Sequence, residues 1–235
     1  MNLYSFVNDY LTGAGRPRVV TAFTLYRLLD SAFGVSHRNT NMRRIKDLVE
    51  SNILKGVTRG VYINMVAVPA VEPQEAVSHV RSGAVVSLYS VLGEYGVLNN
   101  HTEHVTAILP TGVGDTHFPR LPSLRTGAGV YTFYGMAANK LQAGDYEDRL
   151  IATRFYPCAT PERAFLDHLY LGSNHRSRLT MPPLDSDIGD LDQARLWRLA
   201  AAMEIEEPLE EWVKKKETYD QDEDVQNNMS LRLGF

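Results

Sequence analysis

The stretch VSHRNTNMRRIKDLVESNILKGVTRGVYIN, residues 35–64, decides the fold of the first part of the chain. Within residues 39–51 the apolar side chains recur at helical spacing and form one stripe, made of Met42, Ile45, Leu48 and Val49. Two short β-type runs follow, residues 53–55 and 61–63, and the loop between them contains two glycines. A turn, a helix and a hairpin in this order predict a DNA-reading helix followed by a wing.

The face opposite the apolar stripe has the chemistry of a major-groove reader. Helical geometry places Asn39, Thr40 and Arg43 there together with Asp47, and it places Arg44 and Lys46 on the flanks. Arginine and asparagine make bidentate hydrogen bonds to guanine and adenine, whereas lysine and threonine bind phosphates. The cations lie in the first half of the helix, so we expect that half to enter the groove. The predicted DNA-binding residues are Ser36, His37, Arg38, Asn39, Thr40, Asn41, Arg43, Arg44, Lys46 and Arg59.

Other interpretations of these residues stay open. The basic helix face is also compatible with a solvated surface used for protein contacts. Arg59 either touches phosphate or the minor groove from the wing, or is an ordinary charge in a hairpin loop. His37 and Arg38 either contact phosphate at the start of the helix or are exposed turn residues.

The residues before this stretch complete a winged helix-turn-helix. Apolar residues at helical spacing predict a first helix over residues 3–11, and residues 19–20 read as a brief strand. Thr21 is a suitable N-cap for a second helix, whose predicted buried residues are Phe23, Leu25, Leu28 and Leu29. The predicted DNA-binding domain covers residues 1–66.

The rest of the chain predicts a mixed α/β domain over residues 67–216, so the fold class is α+β. Strand patterns recur at residues 84–86, 104–109, 130–134 and 150–156, with a long loop expected at 110–129. Helices are expected at 88–95, 159–171 and 192–203, with Ser87 and Thr160 as N-caps, and a short last one near 209–213. Residues 217–235 are acidic and polar, and we expect them to be a flexible tail with little packed structure.

Charge is distributed unevenly along the chain. The formal net charge is −4, but residues 1–64 hold nine Lys and Arg against four Asp and Glu, whereas residues 181–235 hold six against fourteen. A basic beginning suits phosphate binding by that part alone. The sequence has no long apolar run and no signal-peptide pattern, and its single cysteine is Cys158. A cytoplasmic protein is therefore expected.

The sequence gives weaker support to catalysis and to metal binding than to DNA binding. The spacing of His101, His104 and His117, with Glu103 and Asp115, does not suit a metal site, so no metal is predicted. Residues 111–114 lack the lysine and the setting of a phosphate-binding loop. Ser87, Ser90 and Glu94, and the pair Arg163 and Asp167, are explained as well by a helix cap and a buried ion pair. We predict no cofactor and no enzyme activity, because no nucleophile, base and orienting group occur at recognisable spacing.

Three motifs in this order resemble the AbiEi family of antitoxins from bacterial type IV toxin–antitoxin and abortive-infection systems. They are RGVY at residues 59–62, SGAVVSLYSVLGEYGVL at 82–98 and ATPERAFLDHLYL at 159–171. The resemblance covers roughly residues 4–172. It implies an N-terminal winged helix that represses its own operon at promoter inverted repeats, and a C-terminal domain that neutralises a nucleotidyltransferase-like toxin. One departure is that Leu88 and Tyr95 stand where the family pattern often has histidine.

The leading hypothesis is therefore a DNA-binding, autorepressing antitoxin with double-stranded DNA and a cognate toxin as partners. The toxin partnership is functional and does not require direct contact. The alternative is a ligand-responsive winged-helix transcriptional regulator that is not linked to a toxin. A third hypothesis is an enzyme directed to DNA by its winged helix.

Overall fold

In the first 64 residues three helices pack on a three-stranded antiparallel sheet. The structure is a computed structural model, and it describes residues 2–99, 104–111, 123–151, 154–174, 177 and 179–233. The strands have the spatial order β1-β3-β2. In chain order the elements of this N-terminal lobe are α1 (Leu3–Tyr10), β1 (Val19–Thr21), α2 (Ala22–Phe33), α3 (Arg38–Glu50), β2 (Leu54–Thr58) and β3 (Val61–Asn64).

Local sequence signals set the ends of these helices. The Asn2 side chain accepts a hydrogen bond from the Ser5 amide and caps α1, and the Thr21 hydroxyl accepts one from the Thr24 amide and caps α2. Gly34 follows α2 with φ of 78°, a backbone conformation that glycine adopts without a steric penalty. The predicted order of helices and strands in the N-terminal lobe is confirmed.

The prediction that Phe23 is buried in α2 is wrong. Its side chain is 70% exposed, whereas Leu25 and Leu29 are fully buried in the core of the N-terminal lobe. Phe23 precedes the buried Leu25 by two residues, which is about 200° around a helix. Exposed Arg27, one turn further on, lies over the Phe23 ring at 6.0 Å from its centroid.

A six-stranded mixed sheet with helices packed against it forms the C-terminal lobe. The strand order is β6-β7-β5-β4-β9-β8, with β5 parallel to β7 and β4 parallel to β9. After a 3-10 helix (Pro73–Ala76), the elements are α4 (Val77–Val80), β4 (Val85–Val86), α5 (Tyr89–Glu94), β5 (His104–Thr111), β6 (Leu124–Thr126), β7 (Gly129–Ala137), α6 (Ala138–Leu141), β8 (Tyr146–Ile151), β9 (Arg154–Ala159), α7 (Pro161–Ser173), α8 (Gln193–Met203) and α9 (Glu206–Leu233).

Helix α7 is the centre of this lobe. It begins as predicted, because the Thr160 hydroxyl accepts a hydrogen bond from the Arg163 amide and Pro161 occupies the first turn. Its Phe165 ring meets the Trp212 ring of α9 edge-on at 4.9 Å between centroids. The indole N–H of Trp212 donates to the Pro182 carbonyl at 2.8 Å. Helix α9 is thereby held against α7.

Three predictions for the C-terminal lobe need correction. The run at residues 150–156 is part of two antiparallel strands, β8 and β9, rather than one strand. The long loop expected at 110–129 contains β6, and residues 112–122 lie outside the described part of the chain. The segment from residue 217 continues α9 as a helix to Leu233 instead of lacking structure. Glutamate, lysine and glutamine have high helix propensity. The ion pair between Lys216 and Asp220, one turn apart and 3.0 Å long, also stabilises the helix.

The two lobes share part of their hydrophobic packing across the predicted boundary near residue 66. Val57, Val61 and Ile63 of β2 and β3 belong to the core of the C-terminal lobe. Arg18 and Glu75 form a buried ion pair between the lobes, with Nε–Oε2 at 2.7 Å and Nη2–Oε1 at 2.9 Å. The β2–β3 hairpin is therefore packed between the lobes and is not a free projection.

Among the described residues, no helix has the length and apolar character needed to cross a membrane.

Candidate nucleic-acid interface

Helix α3 presents a polar face on the side away from the core. Asn41, Ile45 and Leu48 are its buried residues. Its exposed residues, together with His37 at the N-cap, are Arg38, Asn39, Thr40, Met42, Arg43, Lys46, Asp47 and Glu50. No acidic side chain lies between Ser36 and Lys46, so every side chain on the first half of this face is either cationic or neutral.

A network of polar contacts fixes the turn between α2 and α3. Asp30 Oδ1 accepts hydrogen bonds from the Ser36 amide at 3.2 Å and from Asn41 Nδ2 at 2.8 Å. Arg44 Nη1 donates to Asn41 Oδ1 at 2.9 Å and to Ser36 Oγ at 3.1 Å. The Arg44 guanidinium also lies over the Phe33 ring at 4.1 Å from its centroid. These contacts fix the orientation of α3 on α2.

The prediction that Asn41 is available to DNA is wrong. Asn41 is 1% exposed and its side chain is bonded on both sides, whereas Met42 of the predicted buried stripe is 52% exposed. Hydrophobic spacing assigned Met42 to the buried stripe. The hydrogen bonds of Asn41 with Asp30 and Arg44 instead stabilise Asn41 in the buried position beside Met42. The buried side of α3 therefore carries Asn41 in place of Met42, whereas Ile45 and Leu48 are buried as predicted. Arg44 is half-buried and committed to the same network, and so is Ser36.

The remaining predicted residues of α3 stay accessible. Within the described part of the chain, neither Arg38 nor Arg43 takes part in an ion pair, so both guanidinium groups keep their donors for an outside acceptor. Lys46 pairs with Glu50 at 3.3 Å, but both side chains are mostly exposed and such a pair contributes little. Asn39 and Arg43 are one turn apart on the outer face, which is the spacing of side chains that reach neighbouring bases.

Arg59 is exposed at the turn between β2 and β3. The turn is closed by Gly60, whose φ is 79°, and the Gly60 carbonyl accepts a hydrogen bond from the Ala22 amide at 2.7 Å. This contact ties the turn to the N-terminus of α2. Arg59 is therefore presented from a fixed position in the N-terminal lobe.

The polar cluster of the C-terminal lobe is an internal ion pair. Arg163 Nε donates to Asp167 Oδ1 at 2.8 Å, and the Ser87 hydroxyl donates to Asp167 Oδ2 at 2.7 Å. All three side chains are fully buried, so no substrate reaches them. Burial raises the pKa of the Asp167 carboxyl, and the bonds from Arg163 and Ser87 oppose that shift. Ser87 is not the N-cap of α5, a position that Leu88 takes with φ of 59°.

The single cysteine and the residues considered for a metal site or a phosphate-binding loop do not form a second candidate site among the described residues. Cys158 is buried in β9, and its thiol donates to the Ala159 carbonyl. Among the described residues no group of histidine, cysteine and carboxylate side chains could hold a metal ion. His101, Glu103, Asp115 and His117, and residues 112–114 of the loop, lie outside the described residues.

Sequence reasoning missed two buried groups. His168 has no exposed surface, and its Nε2 lies 3.1 Å from the Thr180 carbonyl oxygen. Burial lowers the pKa of His168 to about 4, so the ring is neutral in the folded protein near pH 7. The other group is the Arg18–Glu75 pair, where the hydrogen bond to Glu75 raises the pKa of Arg18. No local pattern marks either group, because their partners are distant in sequence or belong to the backbone.

Comparison with known proteins supports the fold alone. No protein-family model matches the chain. No curated protein matches its sequence. Among solved structures it is similar to the crystal structure of the RV2827C protein from Mycobacterium tuberculosis, with a TM-score of 0.52 and 16% sequence identity. The match covers 88% of this chain and 75% of that chain.

Proposed function

We propose that the N-terminal lobe is a winged helix-turn-helix that binds double-stranded DNA through α3 and the β2–β3 turn. The observation that carries this proposal is the exposed first half of α3, where Arg38, Asn39, Thr40 and Arg43 face outward and the first acidic side chain along the helix is Asp47. The element order and the antiparallel sheet are those that winged helices use to hold a helix in the major groove. The net charge of +5 on residues 1–64 supplies attraction to phosphates.

The proposed contacts with DNA are of two kinds, to base edges and to phosphates. Asn39 and Arg43 lie at the centre of the outer face and are assigned to base edges, adenine and guanine respectively. Arg38, Thr40 and Lys46 lie around them and are assigned to phosphates, as is Arg59 from the β2–β3 turn. His37 adds a polar contact at the helix start. Ser36, Asn41 and Arg44 serve by holding α3 in place.

A gel shift on the DNA upstream of the protein's own gene tests the DNA half of the proposal. Binding to an inverted repeat, and not to a shuffled sequence of equal composition, is expected. Arg43→Lys retains the charge but loses the bidentate fork, so it should reduce discrimination between the two DNAs more than it reduces binding to shuffled DNA. Equal binding of both DNAs by the wild-type protein would rule out sequence-specific reading.

We further propose that the protein is an antitoxin of a type IV toxin–antitoxin system and represses its own operon. The support is the resemblance carried by residues 59–62, 82–98 and 159–171. The last two of these stretches meet in the C-terminal lobe, where Ser87 bonds Asp167 and the Tyr89 ring packs edge-on against His168 at 4.9 Å. The toxin is expected to be nucleotidyltransferase-like, and neutralisation does not require direct contact.

Coexpression tests the antitoxin half separately. Expressing the neighbouring gene alone should arrest growth, and adding this protein from an unrelated promoter should restore it. Arg43→Ala should restore growth as well as wild type does, because that side chain is assigned to DNA. Growth arrest that persists in the presence of the wild-type protein would refute antitoxin activity and leave the DNA proposal standing.

A further inference from the structure

Met42 is an exposed apolar residue on the otherwise polar outer side of α3. It is 52% exposed, whereas Ile45 and Leu48 of the same helix are 5% and 0% exposed in the core of the N-terminal lobe. Single apolar side chains are common on protein surfaces, so exposure by itself assigns no role to Met42. Its position among the residues assigned to DNA is more informative.

Three of the four side chains next to Met42 on the helix surface are exposed and assigned to DNA. Residues three and four positions apart are neighbours on a helix. In the preceding turn of α3 these neighbours are Arg38 and Asn39, which are both exposed. In the following turn they are exposed Lys46 and buried Ile45. Met42 therefore lies at the edge of the proposed DNA-binding face, on the side that borders the core.

The hydrogen bonds of Asn41 determine that Met42 points away from the core. Asn41 Nδ2 donates to Asp30 Oδ1 at 2.8 Å, and Asn41 Oδ1 accepts from Arg44 Nη1 at 2.9 Å. Asn41 is 1% exposed, so these bonds set the rotation of α3 about its own axis. Successive residues of a helix are about 100° apart, so burial of Asn41 turns Met42 outward. The point on the surface from which the Met42 side chain extends is therefore fixed before DNA binds.

The major groove contains one apolar group that suits such a side chain, the 5-methyl group of thymine. Asn39, one turn before Met42, is assigned to adenine, and the thymine paired with that adenine presents its methyl group in the same groove. Methionine is unbranched and has a polarizable sulfur, so it adapts to an irregular apolar surface. An A·T pair bound by Asn39 thus supplies an apolar group on the face of α3 where Met42 lies.

We propose that Met42 contacts the 5-methyl group of a thymine in the inverted repeat, in the base pair bound by Asn39 or in the next one. The inference rests on the proposed DNA-binding function of α3 and adds to it a specificity-determining contact without a hydrogen bond. Loss of the contact should weaken binding by about fourfold for each half-site, the factor that corresponds to burial of one methyl-sized group.

The test replaces the thymines of one half-site by deoxyuridine, one position at a time, and measures affinity by fluorescence anisotropy. Deoxyuridine keeps the pairing and the hydrogen-bonding groups of thymine and lacks only the methyl group. At one of these positions wild-type protein should bind the deoxyuridine DNA about fourfold more weakly than the thymine DNA. Met42→Ala should bind the two DNAs equally.

Met65→Ala is the matched control for Met42→Ala. Met65 is 48% exposed, close to the exposure of Met42, but it follows β3 and lies outside α3. The Met65→Ala protein should therefore keep the wild-type preference for thymine over deoxyuridine. Loss of that preference in Met65→Ala would overturn the assignment to Met42.

Two further results would also overturn the contact. One is a wild-type protein that binds all the deoxyuridine DNAs as tightly as the thymine DNA. The other is a Met42→Ala protein that keeps the wild-type preference, which would show that the methyl group acts through the shape of the DNA. Specific wild-type binding to the thymine DNA would in both cases leave the proposed function standing. Absence of that binding would refute the proposed function and the methyl contact together.

Discussion

Replacement of Arg18 by Ala should destabilise the protein far more than loss of an ordinary basic residue. Arg18 and Glu75 are each 3% exposed at the side chain, and two hydrogen bonds of 2.7 and 2.9 Å join them. The guanidinium also donates to the Pro69 and Ala70 carbonyls at 2.7 and 2.9 Å. Removing it leaves a buried carboxylate and two carbonyls without these partners.

The expected loss is about 3 to 5 kcal/mol of unfolding free energy, the cost of breaking a buried ion pair by removing one partner. Glu75→Gln should cost less than Arg18→Ala, because it keeps the shape and leaves one hydrogen bond possible. The double variant Arg18→Met with Glu75→Leu should be more stable than Arg18→Ala, since no unpaired charge remains. Combining Arg18→Ala with Glu75→Gln in one chain should cost less than the sum of the two single losses, and such non-additivity identifies a direct interaction.

Urea unfolding at neutral pH, followed by the fluorescence of Trp197 and of buried Trp212, measures these differences as shifts of the midpoint. Lys46→Ala is the matched control, because it breaks an ion pair whose side chains are 74% and 62% exposed. It should change stability by no more than about 0.5 kcal/mol. A loss below about 1 kcal/mol for Arg18→Ala, or strict additivity with the Glu75 change, would refute the assignment of a buried inter-lobe pair.

Three further predictions concern single sites. The pKa of His168 is about 4 in the folded protein and near 6.5 in the unfolded chain. Protonation therefore favours the unfolded chain, and the folded protein loses stability as the pH falls below 6.5. Between pH 7 and pH 5 the wild-type protein should lose about 2 kcal/mol more stability than His168→Gln, and equal losses in urea titrations would contradict this. Asn41→Ala should lower the unfolding midpoint by leaving Asp30 and Arg44 without their shared partner, at a cost of about 1 to 3 kcal/mol, and an unchanged midpoint would exclude the network. Gly172→Ala should prevent native packing of the segment after α7, because its Cβ would lie 2.8 Å from backbone atoms there, and a native unfolding temperature would be inconsistent with that approach.

Local signals predicted the elements that depend on local chemistry. The N-caps at Thr21 and Thr160 lie at the starts of α2 and α7 as expected, because a cap needs only neighbouring residues. The β2–β3 hairpin follows in the same way from its alternating pattern and Gly60. The positions of α3 and of the β2–β3 turn along the chain can therefore be predicted from local sequence, without the tertiary structure.

Predictions were wrong where a distant partner decides the outcome. Hydrophobicity ranks Met42 above Asn41, but Asp30 lies eleven residues before Asn41 and stabilises its burial. The Arg18–Glu75 pair spans 57 residues, and no spacing rule connects such positions. The split of one expected strand into β8 and β9 depends on pairing across the sheet, which a single β-branched run does not encode.

The central claim is that the exposed first half of α3 binds DNA. Fluorescence anisotropy on a labelled inverted repeat, across a series of salt concentrations, measures both the affinity and the number of phosphate contacts for wild type, Arg43→Ala and the control Lys214→Ala. Arg43→Ala should weaken binding by about 1 to 3 kcal/mol and keep the salt slope nearly unchanged, as expected for a base contact. Lys214→Ala should match wild type in both quantities. The same affinity for wild type and Arg43→Ala at every salt concentration would contradict the claim.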